Sequence, residues 1–211
     1  MADPRETVIL IHGLWMPGLV LLPLQWRLRA VGFAVHRFSY PSWHDGLSDN
    51  VSLLSRCVAN TPGEVIHLVA HSLGGLIILT LLAQRPDARI GRVVMLGTPC
   101  AGCHCGFTLA AIPLLAPVVG RTFADWFRQA RPKLPTRPEI GIIAGTRRIG
   151  FGMLIPGLAR PNDGLIAVDE TYLESAADSI ALHVHHSGLL FSRACVLQIA
   201  SFLRTGKFVH G

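Results

Sequence analysis

The run Thr7-Val8-Ile9-Leu10-Ile11 is continuous, apolar and rich in β-branched residues, the pattern of a short strand buried on both faces. Strand signals recur near 33–38, 65–70 and 91–96, and stretches of helical length lie between them, near 19–31, 47–59 and 73–84. Strand and helix alternating in this way predict a mostly parallel, doubly wound sheet with helices on both faces. The alternation then breaks. Residues 100–138 carry no strand signal, and Pro113, Pro117, Pro132, Pro135 and Pro138 cut them into short pieces. The pattern resumes with strands at 139–144 and 179–184 and a final amphipathic helix at 190–203. The expectation is an α/β fold in one domain over residues 1–211, with about six strands flanked by helices and residues 100–138 as a helical insertion. No repeat, low-complexity tract or linker divides the chain.

The strand near 65–70 leads into Ala70-His71-Ser72-Leu73-Gly74-Gly75, and an uncharged stretch, 76–83, follows it. Small residues flank Ser72 on both sides. A strained strand-to-helix turn requires them, because neighbouring chains pack close to it. A serine at the apex presents its hydroxyl at a helix N-terminus, where backbone N–H groups favour developing negative charge. Upstream, the first strand ends in His12-Gly13-Leu14-Trp15. The two motifs together resemble the nucleophile elbow and oxyanion loop of the α/β-hydrolase family, with Ala70 standing where the usual G-x-S-x-G pattern has its first glycine. The resemblance implies a minimal form of that fold, starting almost directly on the strand before the oxyanion loop, and a chemistry that needs no metal or other cofactor. It also implies Ser72 as nucleophile and the backbone N–H groups of Leu14 and Leu73 as the oxyanion hole.

In that family the chain order is serine, then an acid, then histidine. The segment Pro161-Asn162-Asp163-Gly164-Leu165-Ile166 resembles the acid-bearing loop of several bacterial lipases and makes Asp163 the acid, with Asp169 and Glu170 as nearby alternatives. Read alone, Asp163 before Gly164 is equally a turn residue. His186-Ser187-Gly188-Leu189 resembles the H-[ST]-G-L segment of related esterases and makes His186 the base, with His185 as close competitor. Gly97-Thr98-Pro99 resembles a loop of lipase-like hydrolases that follows the strand after the elbow helix. The family often inserts a cap where residues 100–138 lie. Trp15, Phe107, Leu109, Ile112, Leu114, Leu115, Trp126 and Phe127 are then expected to wall an apolar acyl pocket. The implied function is a serine hydrolase of carboxylic esters acting on a small, apolar acyl substrate. A thioesterase, amidase or acyltransferase would use the same machinery, and a non-catalytic ligand-binding homologue would share the fold.

Composition narrows the partners. Half of the 211 residues are hydrophobic and 15% are charged, so most helices must be covered. The net charge is +6, but the basic residues are scattered and no stripe interleaves them with aromatics. Nucleic acid is therefore not expected, and at most a weak attraction to anionic membrane surfaces is. No run reaches the roughly 18 apolar residues of a spanning helix. Residues 1–6 are too polar and too few for a signal peptide, which makes a cytoplasmic location the expectation. Five cysteines, an odd number, fit reduced thiols. Cys100, Cys103 and Cys105 have no second cysteine pair at metal-ligand spacing, so they read as structural rather than as a zinc or iron site. The sequence carries no sign of the oligomeric state.

Overall fold

The computed structural model describes residues 6–210. Residues 1–5, the bulk of the polar N-terminal stretch, lie outside the described residues. Six strands, β1 (Glu6–Ile11), β2 (Ala34–Phe38), β3 (Val65–His71), β4 (Ile90–Leu96), β5 (Glu139–Gly145) and β6 (Asp178–Leu182), form one sheet in the order β2-β1-β3-β4-β5-β6. Every neighbouring pair is parallel. The period-2 geometry of a strand sorts β1 between two cores: Val8 and Leu10 join one cluster, Ile9 and Ile11 the other. The first face is closed by α1 (Leu22–Ala30) and α6 (Arg193–Thr205). The second is closed by α2 (Leu47–Asn60), α3 (Leu73–Gln84), α4 (His104–Ala110) and α5 (Gly120–Arg128). Helix α3 is buried on nearly all sides, which accounts for its uncharged sequence. Among the described residues no helix is long and apolar enough to cross a membrane.

Several boundaries differ from the sequence pattern, among them the start of α1, which follows a 3-10 turn at Gly18–Leu21. Strand β6 stops at Leu182 instead of running to 184, because the Val184 N–H turns back to the Leu182 carbonyl at 2.7 Å. The final helix starts at Arg193 rather than 190, since residues Ser187–Leu190 form a 3-10 turn and Ser192 caps α6 by accepting the Cys195 N–H. The insertion folds as α4, a 3-10 turn at Ala116–Val119, and α5. It is tied to α2 through polar contacts. Asn50 donates to the Thr122 hydroxyl at 2.8 Å, and the Asp125 carboxylate accepts the Leu47 N–H at the start of α2 at 3.1 Å. A carboxylate there also complements the helix dipole.

All five cysteines are free thiols. Cys100, Cys103 and Cys105 pack in the second core cluster and Cys195 in the first, where they act as small apolar side chains. Burial pushes Cys100 and Cys195 up to about 12 and Cys105 up to about 11, and it raises Cys103 as well. Metal ligation and disulfide exchange both need the thiolate, which burial here disfavours. Among the described residues no group of three or more His, Cys, Asp and Glu side chains is placed to hold a metal ion.

Two measurements test this packing. In the folded protein at pH 8, an aromatic disulfide reagent should modify half-buried Cys57 first and reach the other four thiols only after denaturation. Fast modification of Cys103 or Cys105 in the native state would contradict their burial. A Gly75→Ala substitution sets a Cβ 2.2 Å from the Thr98 hydroxyl oxygen. Overpacking of about 3 kcal/mol outweighs a helix-propensity gain of about 1 kcal/mol. The expected fall in Tm is about 4–8 °C, and an unchanged or raised Tm would show that Thr98 yields freely.

Candidate active site

Ser72 stands between β3 and α3 with φ 52° and ψ −122°, on the left-handed side of backbone space that non-glycine residues rarely occupy. The conformation costs about 1–3 kcal/mol and persists only where the surroundings hold it. Three hydrogen bonds do so. The Ser72 N–H donates to the Leu96 carbonyl at 2.8 Å. The Ser72 carbonyl accepts from the Gly75 N–H and from the Thr98 hydroxyl, both at 3.0 Å. Thr98 is wholly buried and leans on Gly75, so the loop after β4 braces the elbow from beneath.

The segment after β1 is braced differently. His12 is buried with its ring stacked on Tyr40, centroids 4.4 Å apart. Its Nε2 accepts the Tyr40 N–H at 3.2 Å, which leaves Nδ1 as the protonated nitrogen, donating to the Gly13 carbonyl at 2.9 Å. The Tyr40 hydroxyl closes the loop by donating to the His12 carbonyl at 2.9 Å. Burial lowers the His12 pKa and keeps the ring neutral, although the Gly13 bond opposes this. Trp15 takes the left-handed conformation, φ 59°, and its N–H donates to the Ser42 hydroxyl at 3.1 Å. Leu14 is thereby fixed at the rim of the cavity that Ser72 and Leu73 also border. Leu73 is the first residue of α3, so its N–H has no acceptor within the helix.

Asp163 and His186 meet 2.7 Å apart, Oδ2 to Nδ1. The carboxylate is buried, yet its Oδ1 accepts the N–H groups of Leu165 and Ile166 at 3.0 and 2.8 Å. Each oxygen therefore has a donor, which a buried charge requires. The His186 N–H donates to the Asp163 carbonyl at 2.9 Å, so main chain and side chain are registered together. Gly97, with φ 57°, lets both side chains approach: a Cβ there would lie 3.0 Å from His186 Nδ1. The alternatives sit elsewhere. Asp169 is exposed, and the Glu170 carboxylate accepts the N–H groups of Ala167 and His104, joining the loop that carries Asp163 to the start of α4. His185 turns away and accepts the Gly188 N–H at 3.2 Å, and His183 is exposed beside Thr146.

Ser72 and His186 open on one cavity of about 210 Å³. Leu14, Trp15 and Met16 form one wall, and Leu165, Ile166 and Phe151 another. The insertion supplies Cys103, Cys105, Gly106, Leu109, Val119 and Phe123. Of the side chains expected from the sequence, Trp15 and Leu109 reach this cavity and six do not. Phe107 and Phe127 pack on each other, ring centroids 4.7 Å apart. Trp126 is buried in the core beneath the Arg131 guanidinium. Leu115 packs against the core, and Ile112 and Leu114 are exposed, Leu114 by 87%. Helix phase turns Phe107, Trp126 and Phe127 away from the cavity, while Ile112, Leu114 and Leu115 lie in the turn that follows α4. The sequence reading also passed over Thr98, Tyr40 and Ser42 as supports. Only Thr98 left a local trace, in the Gly97-Thr98-Pro99 loop.

Comparison with known proteins agrees with this architecture. A rice protein named "Probable esterase PIR7A" (Oryza sativa subsp. indica) is 31% identical over 121 residues, a stretch covering 52% of this chain. The match spans 46% of that relative, less than half its length. A metagenomic carboxyl esterase superposes with a TM-score of 0.71 at 18% identity, covering 97% of this chain and 77% of the other. A Bacillus licheniformis lipase in its propeptide form superposes with a TM-score of 0.76 at 18% identity, over the whole of this chain and 52% of the lipase. At such identities the likeness is one of fold. The model of the alpha/beta hydrolase family matches residues 8–201, nearly the whole sheet and its helices, and the chain belongs to that family.

Proposed function

We propose that the protein is a serine hydrolase that cleaves carboxylic esters through an acyl-enzyme on Ser72. The observation that carries this reading is the buried Asp163–His186 pair, whose imidazole opens on the same cavity as a strained serine. With Nδ1–H held by Asp163, the lone pair of His186 is left on Nε2, the tautomer that a general base needs. His186 takes the Ser72 proton as the hydroxyl oxygen attacks the carbonyl carbon, and Asp163 steadies the resulting imidazolium. The backbone N–H groups of Leu14 and Leu73 receive the developing oxyanion. His186 then returns its proton to the departing alkoxide, and water repeats the sequence to release the acid. The esterase and lipase names carried by the relatives support the ester as the substrate class.

The cavity sets the size of the acyl group. An engineered apolar cavity of about 150 Å³ holds benzene, so about 210 Å³ has room for an acyl chain of about six to eight carbons or one aryl ring. Among the described residues no Asp, Glu, Lys or Arg side chain lines it.

A fluorophosphonate probe should label Ser72 in the wild type and leave Ser72→Ala untouched, and equal labelling of that variant would overturn the assignment. His186→Ala should lower kcat by at least about 10³-fold. His185→Ala, which loses only the bond to Gly188, should stay within about tenfold of wild type. The reverse order would make His185 the base. Across a series of p-nitrophenyl esters, kcat/KM should rise from acetate to hexanoate or octanoate and fall by laurate. A value still climbing at palmitate would exclude this limit on acyl length.

A further inference from the structure

His71 is buried, 1% exposed, immediately before Ser72, and neither nucleophile, base nor acid makes use of it. Its Nε2 lies 3.1 Å from the His186 carbonyl oxygen, so that nitrogen carries the proton and donates. The two imidazole rings are 4.6 Å apart and inclined by 52°. Nδ1 is left with a lone pair, buried and without a partner. It faces the segment after β1 so closely that a Cβ on Gly13 would lie 2.9 Å from it. One side chain thus touches three separate loops: the elbow through its own backbone, the oxyanion segment at Gly13, and the base-bearing turn at His186. A buried polar atom without a partner costs about 1–3 kcal/mol.

We infer that His71 is a positioning residue for His186, holding the base-bearing turn against the elbow by its Nε2–H bond to the His186 carbonyl. This rests on the serine hydrolase reading. The His186 main chain is then fixed at both ends, its N–H by the Asp163 carbonyl and its C=O by His71, with the Leu189 N–H a longer second donor at 3.3 Å. Fixing both ends sets the direction of the Cα–Cβ bond, and with Nδ1 on Asp163 it leaves the ring one orientation in the cavity that Ser72 also lines. A neutral His71 is part of the arrangement, because the base must itself become positive 4.6 Å away during the reaction. Burial holds the His71 pKa well below 6.5, and the charge of His186 adds to this.

The comparison of His71→Gln with His71→Met separates this role from packing, since the two side chains match in length and only Gln can donate. In His71→Met, kcat should fall about 10–100-fold, the scale of an ångström-level misplacement, while KM changes less than about threefold. His71→Gln should keep kcat within about threefold of wild type. The downfield proton resonance of the His186–Asp163 hydrogen bond should persist in Gln and broaden or vanish in Met. This signal is read without substrate, so a protein that hydrolysed no ester would defeat the proposed function while leaving the resonance to judge His71. Equal damage in both variants, an effect confined to KM, or an intact kcat and resonance in Met would each overturn the role. If the Met variant does not fold, Gln is compared with wild type alone: retained kcat and resonance uphold the role, and loss of either overturns it.

Discussion

The strained backbone of Ser72 is the constraint around which the site is arranged. A serine at φ 52° relaxes unless its own N–H and C=O are held, and here the holders come from the end of β4, from the loop after it and from the first turn of α3. Net contributions of about 0.5–1.5 kcal/mol for each of three hydrogen bonds are of the same order as the strain they oppose. The parallel pairing of β3 with β4 places those groups, since Ala70 lies opposite Met95 and His71 opposite Leu96. Sheet register is thereby converted into the orientation of one hydroxyl. Thr98 works in both directions, bonding to Ser72 and packing on Gly75, so the elbow and its support cannot shift independently.

A buried carboxylate is the second demand on the fold. Asp163 is 1% exposed, and an ion so placed is costly unless its oxygens are occupied. The turn that follows it supplies two N–H groups to one oxygen, which leaves the other for the imidazole. The charge is therefore directed at His186 rather than dissipated. Glu170 carries the same group seven residues after Asp163 but is committed to the N–H groups of Ala167 and His104, which anchors the start of α4.

The insertion is held to the body of the protein by Asn50, Thr122, Asp125 and the Trp43 indole, which donates to the Pro117 carbonyl at 2.6 Å. Its aromatic side chains mostly knit it together: Phe107, Phe123 and Phe127 form a cluster, and only Phe123 also borders the cavity. Thiols complete the wall. Cys103 and Cys105 are small, apolar and protonated, so they give the cavity its width without adding charge.

The strands and helices could be read along the chain because each is a local pattern: apolar runs for buried strands, an uncharged stretch for α3, prolines where helices break. Ser72, Asp163 and His186 stood out as candidates for a similar reason, since each sits in a short motif whose small residues answer to a tight turn. Other features depended on groups distant in sequence. That Asp163 rather than Asp169 faces the imidazole follows from the path of the chain between β5 and β6, and that His186 rather than His185 does so follows from where β6 ends. The pocket lining was least accessible, because a helix of seven or nine residues rich in apolar groups has no local mark of which face will meet a cavity. The supports, Thr98 beneath the elbow and Tyr40 beside His12, act across 26 and 28 residues. The sequence determined which elements form and which short motifs stand at their ends. Only tertiary packing decided what those residues touch, because burial and hydrogen-bond partners are set by whichever segments the sheet brings alongside.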